Sequence, residues 1–235
     1  TVFGDPLLIF NHPRGDAPFQ AYFDYLDYDP VTDTVGRMQD WDPKLRLLEV
    51  FNGTSFDANY CAEDENCDDD RSSGVNDWFS LINSALVADG KVFAVGSSDS
   101  HSVRSTPVGY PRTCLRVGVD APADLRALGP EVLRDAVDGG HAVVSGGIFV
   151  SATTVNGGAG PGDTLTDANA QEAVHVKVQA PPWVTVDRLR TVMAIGVGDR
   201  LIGVDLQRIR PGLAQDSAFT GNEQDAHRAP VRQRE

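Results

Sequence analysis

Residues 44–52 (KLRLLEVFN) are rich in Leu, Val and Phe and stop at Asn52-Gly53, a turn signal. Residues 76–88 then carry Trp78, Phe79, Leu81, Ile82, Ala85 and Leu86 on one helical face. Asn76 or Asp77 can cap the start of that helix, and Gly90 ends it. The apolar run 92–95 follows at once and reads as a buried strand. Strand, helix, strand in this order predicts parallel strands joined by a right-handed crossover, and hence an α/β fold. In such folds chemistry gathers at the C-terminal ends of the strands.

The residues at those ends are therefore the first place to look. Residues 95–101 read VGSSDSH. On an extended backbone, positions i and i+2 share a face, so Asp99 and His101 can bring a carboxylate oxygen and an imidazole nitrogen to one ion. Asn11-His12-Pro13-Arg14 has the same grammar, because His12 falls where the short apolar run 6–10 stops. Glu49 sits near the C-terminal end of 44–52, where it is a metal ligand, an orienter of one, or a polar end residue. His12, Glu49, Asp99 and His101 all fall at the C-terminal ends of expected strands, as a divalent-metal site requires.

Charge narrows the partners. The chain has 235 residues, a formal net charge of −14 and a pI near 4.6. A nucleic-acid backbone is thereby disfavoured, since phosphate binding needs Lys/Arg clusters. Any preference for an anionic substrate must be local. Arg104 or Arg112, in the loop 102–116, could supply it, with a surface salt bridge as the alternative for each. No apolar run approaches the ~18 residues of a membrane-spanning helix. The opening residues TVFGD carry no initiator Met, basic region or signal peptide, and the chain opens directly before a strand. That reads as a fragment lacking an upstream part, although a processed terminus would look the same.

The acidic run 63–70 (EDENCDDD) is expected to be a solvated loop, or a calcium site without EF-hand spacing. Cys61 and Cys67 bracket it. A bridge between them would suit an extracytoplasmic protein, and two unpaired thiols are the alternative. With Cys114 alone in an expected strand, no zinc knuckle is formed. Asn52-Gly53-Thr54 is a glycosylation sequon.

Residues 16–42 are rich in Tyr, Phe, Asp and Pro and read as a long loop over one end of the domain. Their aromatic side chains either line a pocket or anchor the loop to the core. Residues 124–138 are expected to be helical, with Pro130 marking a first turn and Gly139-Gly140 a stop. His141 starts the next strand, at the end away from the site. From Gly146 the texture changes to short alternating strands, 149–155, 174–179 and 184–192, between Gly-, Pro- and Asp-rich turns. His175 lies on a strand face there. The expected organisation is an α/β domain over 1–145, a small antiparallel β module over 146–207, and a polar tail without order over 208–235, which holds His227.

The ordered set His-Pro-Arg, Leu-Glu-Val-Phe-Asn-Gly, Asp-Trp-Phe-Ser-Leu, Val-Gly-Ser-Ser-Asp-Ser-His and Gly-Tyr-Pro-Arg-Thr resembles the PHP (polymerase and histidinol phosphatase) superfamily. It is most similar to the CehA/McbA-type metallohydrolases, over roughly residues 7–202. The resemblance implies a distorted, TIM-like (β/α)7 barrel, here partial, with a β-rich region after it. It also implies two or three divalent metal ions (zinc, manganese or iron) and hydrolysis of phosphoesters, other esters or carbamates. His12, Asp99 and His101 match the family's metal ligands; Glu49, Asn52, Arg14 and Arg112 match recurring positions around its site. The family's opening His-x-His, mid-barrel carboxylate and mid-barrel histidine are absent. The chain is thus expected to be an N-terminally truncated hydrolase acting on a small-molecule ester, or a catalytically incomplete relative whose β module binds carbohydrate or protein.

Overall fold

The computed structural model describes residues 7–14, 21–53, 74–82, 84–104, 108–155, 158–165, 173–186, 189–193, 202–206 and 216–220. The acidic run 63–70, Cys61, Cys67, Thr54 and His227 lie outside them. The chain divides into two units, one of residues 1–147 with 194–200 and one of residues 148–193 with 201–235. Among the described residues no helix is long and apolar enough to cross a membrane.

The first unit runs β1 (Ile9–Phe10), α1 (Tyr22–Tyr25), β2 (Tyr28–Asp29), β3 (Thr34–Val35), β4 (Leu47–Asn52), α2 (Gly74–Leu81), β5 (Phe93–Ser97), β6 (Arg112–Leu115), α3 (Pro122–Ala127), α4 (Pro130–Asp138) and β7 (Ala142–Ser145). Strands β1, β4 and β5 pair in parallel, in that spatial order. All three therefore finish at the same edge of the sheet. Beside β5 lies the antiparallel pair β6–β7. The Thr113 hydroxyl, on β6, accepts from the Gly96 N–H and donates to the Gly96 carbonyl, both at 2.9 Å. It thus stands in for a missing ladder rung. Gly96 is required there, because a Cβ would come within 2.6 Å of Val144 Cγ1 on β7. Among the described residues the strands close no ring.

The core is built from the segment that reads as a loop. Phe23, Leu26, Tyr28 and Trp41 are buried with Leu45, Leu48, Leu81, Val87 and Val92. The rings of Phe23 and Trp41 stack at 6.1 Å, and the Trp41 indole N–H donates to the Leu86 carbonyl at 2.7 Å. These aromatics anchor the segment to the core. The segment carries α1 and the β2–β3 ribbon, too short for any sequence period to betray.

Two helices differ from expectation for local reasons. Helix α2 stops at Leu81. Ser84 takes over the next turn, its hydroxyl donating to Asp33 at 2.7 Å and accepting from the Leu86 N–H at 3.0 Å, which competes with helical bonding. The expected 124–138 helix is two, α3 and α4. Pro130 opens the second, and the residue before it, Gly129, is extended at ψ 157°.

The second unit holds β8 (Phe149–Thr154), β9 (Ala173–Gln179), β10 (Leu189–Met193), β11 (Ile202–Leu206) and β12 (Asp216–Thr220). β9 is central to an antiparallel sheet, with β8 on one side and β12 on the other. The polar tail, expected without order, is corrected at this point: Asp216–Thr220 pairs with Lys177–Ala173. Backbone pairing along the free side of β9 needs no hydrophobic run, so the composition of the tail did not announce it. The rest of 208–235 lies outside the described residues.

Candidate functional site

Because β1, β4 and β5 end together, the residues just past them converge. His12 follows β1 and Asp99 follows β5, and each has a left-handed backbone, with φ of 49° and 43°. His and Asp tolerate that region better than most residues, but at a cost of order 1 kcal/mol that the surroundings must impose. For His12 the constraints are visible. Its N–H donates to Glu49 Oε2 at 2.9 Å. The carbonyl of buried Pro13 accepts from the Phe23 N–H at 3.0 Å. Gly74 opens α2 directly against this turn, and a Cβ there would meet Pro13 Cγ and the Glu49 carbonyl, each at 3.2 Å.

His12 Nε2 lies 4.0 Å from Asp99 Oδ2, and His101 Nε2 lies 3.1 Å from Asp99 Oδ1. The Asp99 carboxylate thus stands between two imidazoles, one oxygen toward each. All three side chains are open to solvent, His101 the most at 81%. Glu49 is the opposite: it is buried within β4, three residues before the strand's last, with Oε1 accepting from Asn52 Nδ2 at 3.1 Å and from the Ser97 hydroxyl. Its Oε2 is 3.6 Å from His12 Nδ1. Ser97 belongs to this site and sequence reasoning passed over it. Its place two residues before Asp99, at the end of the strand that leads to it, was the available signal.

The resemblance puts Arg14 among the positions around a metal site. Its guanidinium donates to Asp77 at 2.8 Å through both Nε and NH2, to Asp24 at 2.9 Å and to the Tyr28 carbonyl at 2.9 Å. The rings of Phe23 and Tyr28 lie 5.6 and 5.9 Å from it. A side chain so engaged holds the His-Pro-Arg turn to α2 and α1, with four of its five guanidinium N–H groups taken up by these bonds. Asp77, expected as a helix cap, is its buried partner. Arg112 is exposed on β6, opposite Ser145, and Arg104 is exposed after His101.

The Arg14–Asp77 pair pulls in two directions. Burial opposes the Arg14 charge, but Asp77 and Asp24 outweigh it and raise the guanidinium further above its ordinary value. Burial also pushes the Asp77 carboxyl up to about 6, against the Arg14 bonds that favour its ionised form. The direction we stand behind is a permanently charged Arg14, with any proton exchange on Asp77. Since the folded value lies above the ordinary 3.8, the folded state holds that proton more tightly. The contribution of Asp77 is then complete below its ordinary value and is lost as pH rises through about 6. Denaturant melts across that window should show the decline in the wild type and not in Asp77→Asn.

Two donors bound at ~2.0–2.2 Å to one ion lie roughly 3–3.5 Å apart. The Asp99–His101 separation meets that spacing, and the His12–Asp99 separation exceeds it slightly. Among the described residues, no group of three or more His, Cys, Asp or Glu side chains is clustered tightly enough to hold a metal ion. The nitrogen and carboxylate donor set of His12, Asp99 and His101 is of the kind that zinc, manganese or iron takes. The chain matches no protein-family model, no curated protein and no solved structure.

Proposed function

We propose that this chain carries part of the site of a divalent-metal-dependent hydrolase acting on small-molecule phosphoesters or related esters and carbamates. The observation that supports this reading is the meeting of His12, Asp99 and His101 at one edge of a parallel sheet. Two or three ions of zinc, manganese or iron would supply Lewis acidity and an acidified water when bound. His12 and His101 would offer Nε2, and Asp99 both oxygens. With Arg14 engaged in the core, the positive charge for an anionic group falls to Arg112 or Arg104, both exposed. The parallel order β1–β4–β5 is compatible with part of the distorted (β/α)7 barrel that this reading requires.

The test is hydrolysis of an aryl phosphate, an aryl ester and an aryl carbamate by the chain loaded with each metal. Because the chain carries only part of the site, the expected result is weak, metal-dependent turnover of at least one, lost with a chelator and in His101→Ala.

A second reading has support of its own. The absence of a tight three-donor cluster among the described residues, together with an antiparallel sheet in the second unit, suits an incomplete relative acting in carbohydrate or protein binding. Trp183, 83% exposed in the turn after β9, is the kind of side chain that stacks on a sugar ring. No turnover with any metal, together with glycan binding lost in Trp183→Ala, would establish this reading in place of the first.

A further inference from the structure

We infer that Glu49 is a positioning residue that sets the tautomer of His12, holding the ring N–H at Nδ1 and leaving the Nε2 lone pair free to bind a cation. The inference deepens the metal-site reading and rests on it. Glu49 is not itself placed to bind the ion. Its side chain is 2% exposed, Oε1 takes Ser97 and Asn52, and Oε2 takes the His12 backbone N–H. A carboxylate with three donors already aimed at it acts as an acceptor, so the fourth group facing it, Nδ1 at 3.6 Å, meets it as a donor. The bond the inference requires is shorter than that separation, so the ring must move toward Oε2 to make it. A neutral imidazole carries one N–H, so a proton on Nδ1 leaves Nε2 as the acceptor, and Nε2 is the atom that faces Asp99. Carboxylates commonly hold metal-binding histidines in this way.

The fold explains why Glu49 can reach. The β4–β5 register shifts between Glu49 and Phe51, and such an irregularity re-aims a side chain at the end of a strand. Ser97 on β5 and Asn52 on β4 then hold Oε1, while Oε2 points across to the end of β1. One buried carboxylate thus ties all three strand ends together.

The test is nitrogen-15 NMR of the histidine side chains in the metal-free 235-residue chain, paired with zinc competition titrations. At about pH 8, where an ordinary imidazole is neutral, His12 should be mainly the Nδ1–H tautomer. Glu49→Gln should shift that population and weaken zinc binding by roughly 10–100-fold, and Ser97→Ala should move both in the same direction by less. A wild-type His12 found mainly as Nε2–H would overturn the inference, and that result needs no variant to fold. So would a Glu49→Gln chain with unchanged tautomer and affinity. His12→Ala separates the two levels of the argument. Unchanged zinc affinity in His12→Ala would sink the metal-site reading itself, whereas weaker binding in His12→Ala with unchanged binding in Glu49→Gln would sink only the role of Glu49.

Discussion

Arg14→Ala should destabilise the first unit by about 3–5 kcal/mol, the range for removing one partner of a buried ion pair. Asp77 would be left buried on α2 with neither of its guanidinium bonds, Asp24 would lose its bond from Arg14, and the Tyr28 carbonyl would lose a donor. In a chain of this size that loss lowers the melting temperature by roughly 10 °C or more. The paired replacement Arg14→Met with Asp77→Leu should recover much of the loss, because neither charge is then stranded. Thermal melts of the two variants check this. An Arg14→Ala chain as stable as the wild type would mean that the guanidinium is not engaged as the structure has it. The same variant should also weaken metal binding, since the turn that forces His12 to a φ of 49° would lose its anchor.

The second large effect is expected at Asp99. Its carboxylate faces one imidazole with each oxygen, so Asp99→Ala removes the group common to both contacts. Loss of outer partners of a metal site typically weakens binding by 10–100-fold, and loss of this central donor should exceed about 100-fold. The fold should hold, because the Asp99 side chain is partly exposed. The comparison of zinc affinity with melting temperature therefore separates a ligand from a structural residue. A variant that melts normally and binds zinc as well as the wild type would remove Asp99 from the site.

What could be read from the residues was mostly local. The strands β4 and β5 announce themselves through short apolar runs, and the helix stop at Gly139-Gly140 through glycine, with Gly140 indeed at φ 70°. The position of Asp99 and His101 beyond β5 follows from the same run. What stayed hidden depends on partners distant in sequence. Asp77 is 63 residues from Arg14, and nothing in His-Pro-Arg distinguishes a buried clamp from a substrate-binding cation. Glu49 and His12 are 37 residues apart, and only the parallel register places one under the other. The aromatic segment around Phe23, Tyr28 and Trp41 has no helical or strand period, so its role as core was visible only in packing. The pairing of Asp216–Thr220 with β9 rests on backbone bonds, which composition does not encode.

The account stands on one arrangement, in which His12 Nε2, the Asp99 carboxylate and His101 Nε2 share a cation. Anomalous diffraction from crystals soaked in zinc or manganese measures it directly. The account predicts a metal peak at ~2.0–2.2 Å from all three groups, with Glu49 beyond bonding distance. A structure in which the peak lies elsewhere, or in which His12 and His101 bind separate sites with no ligand in common, would contradict it.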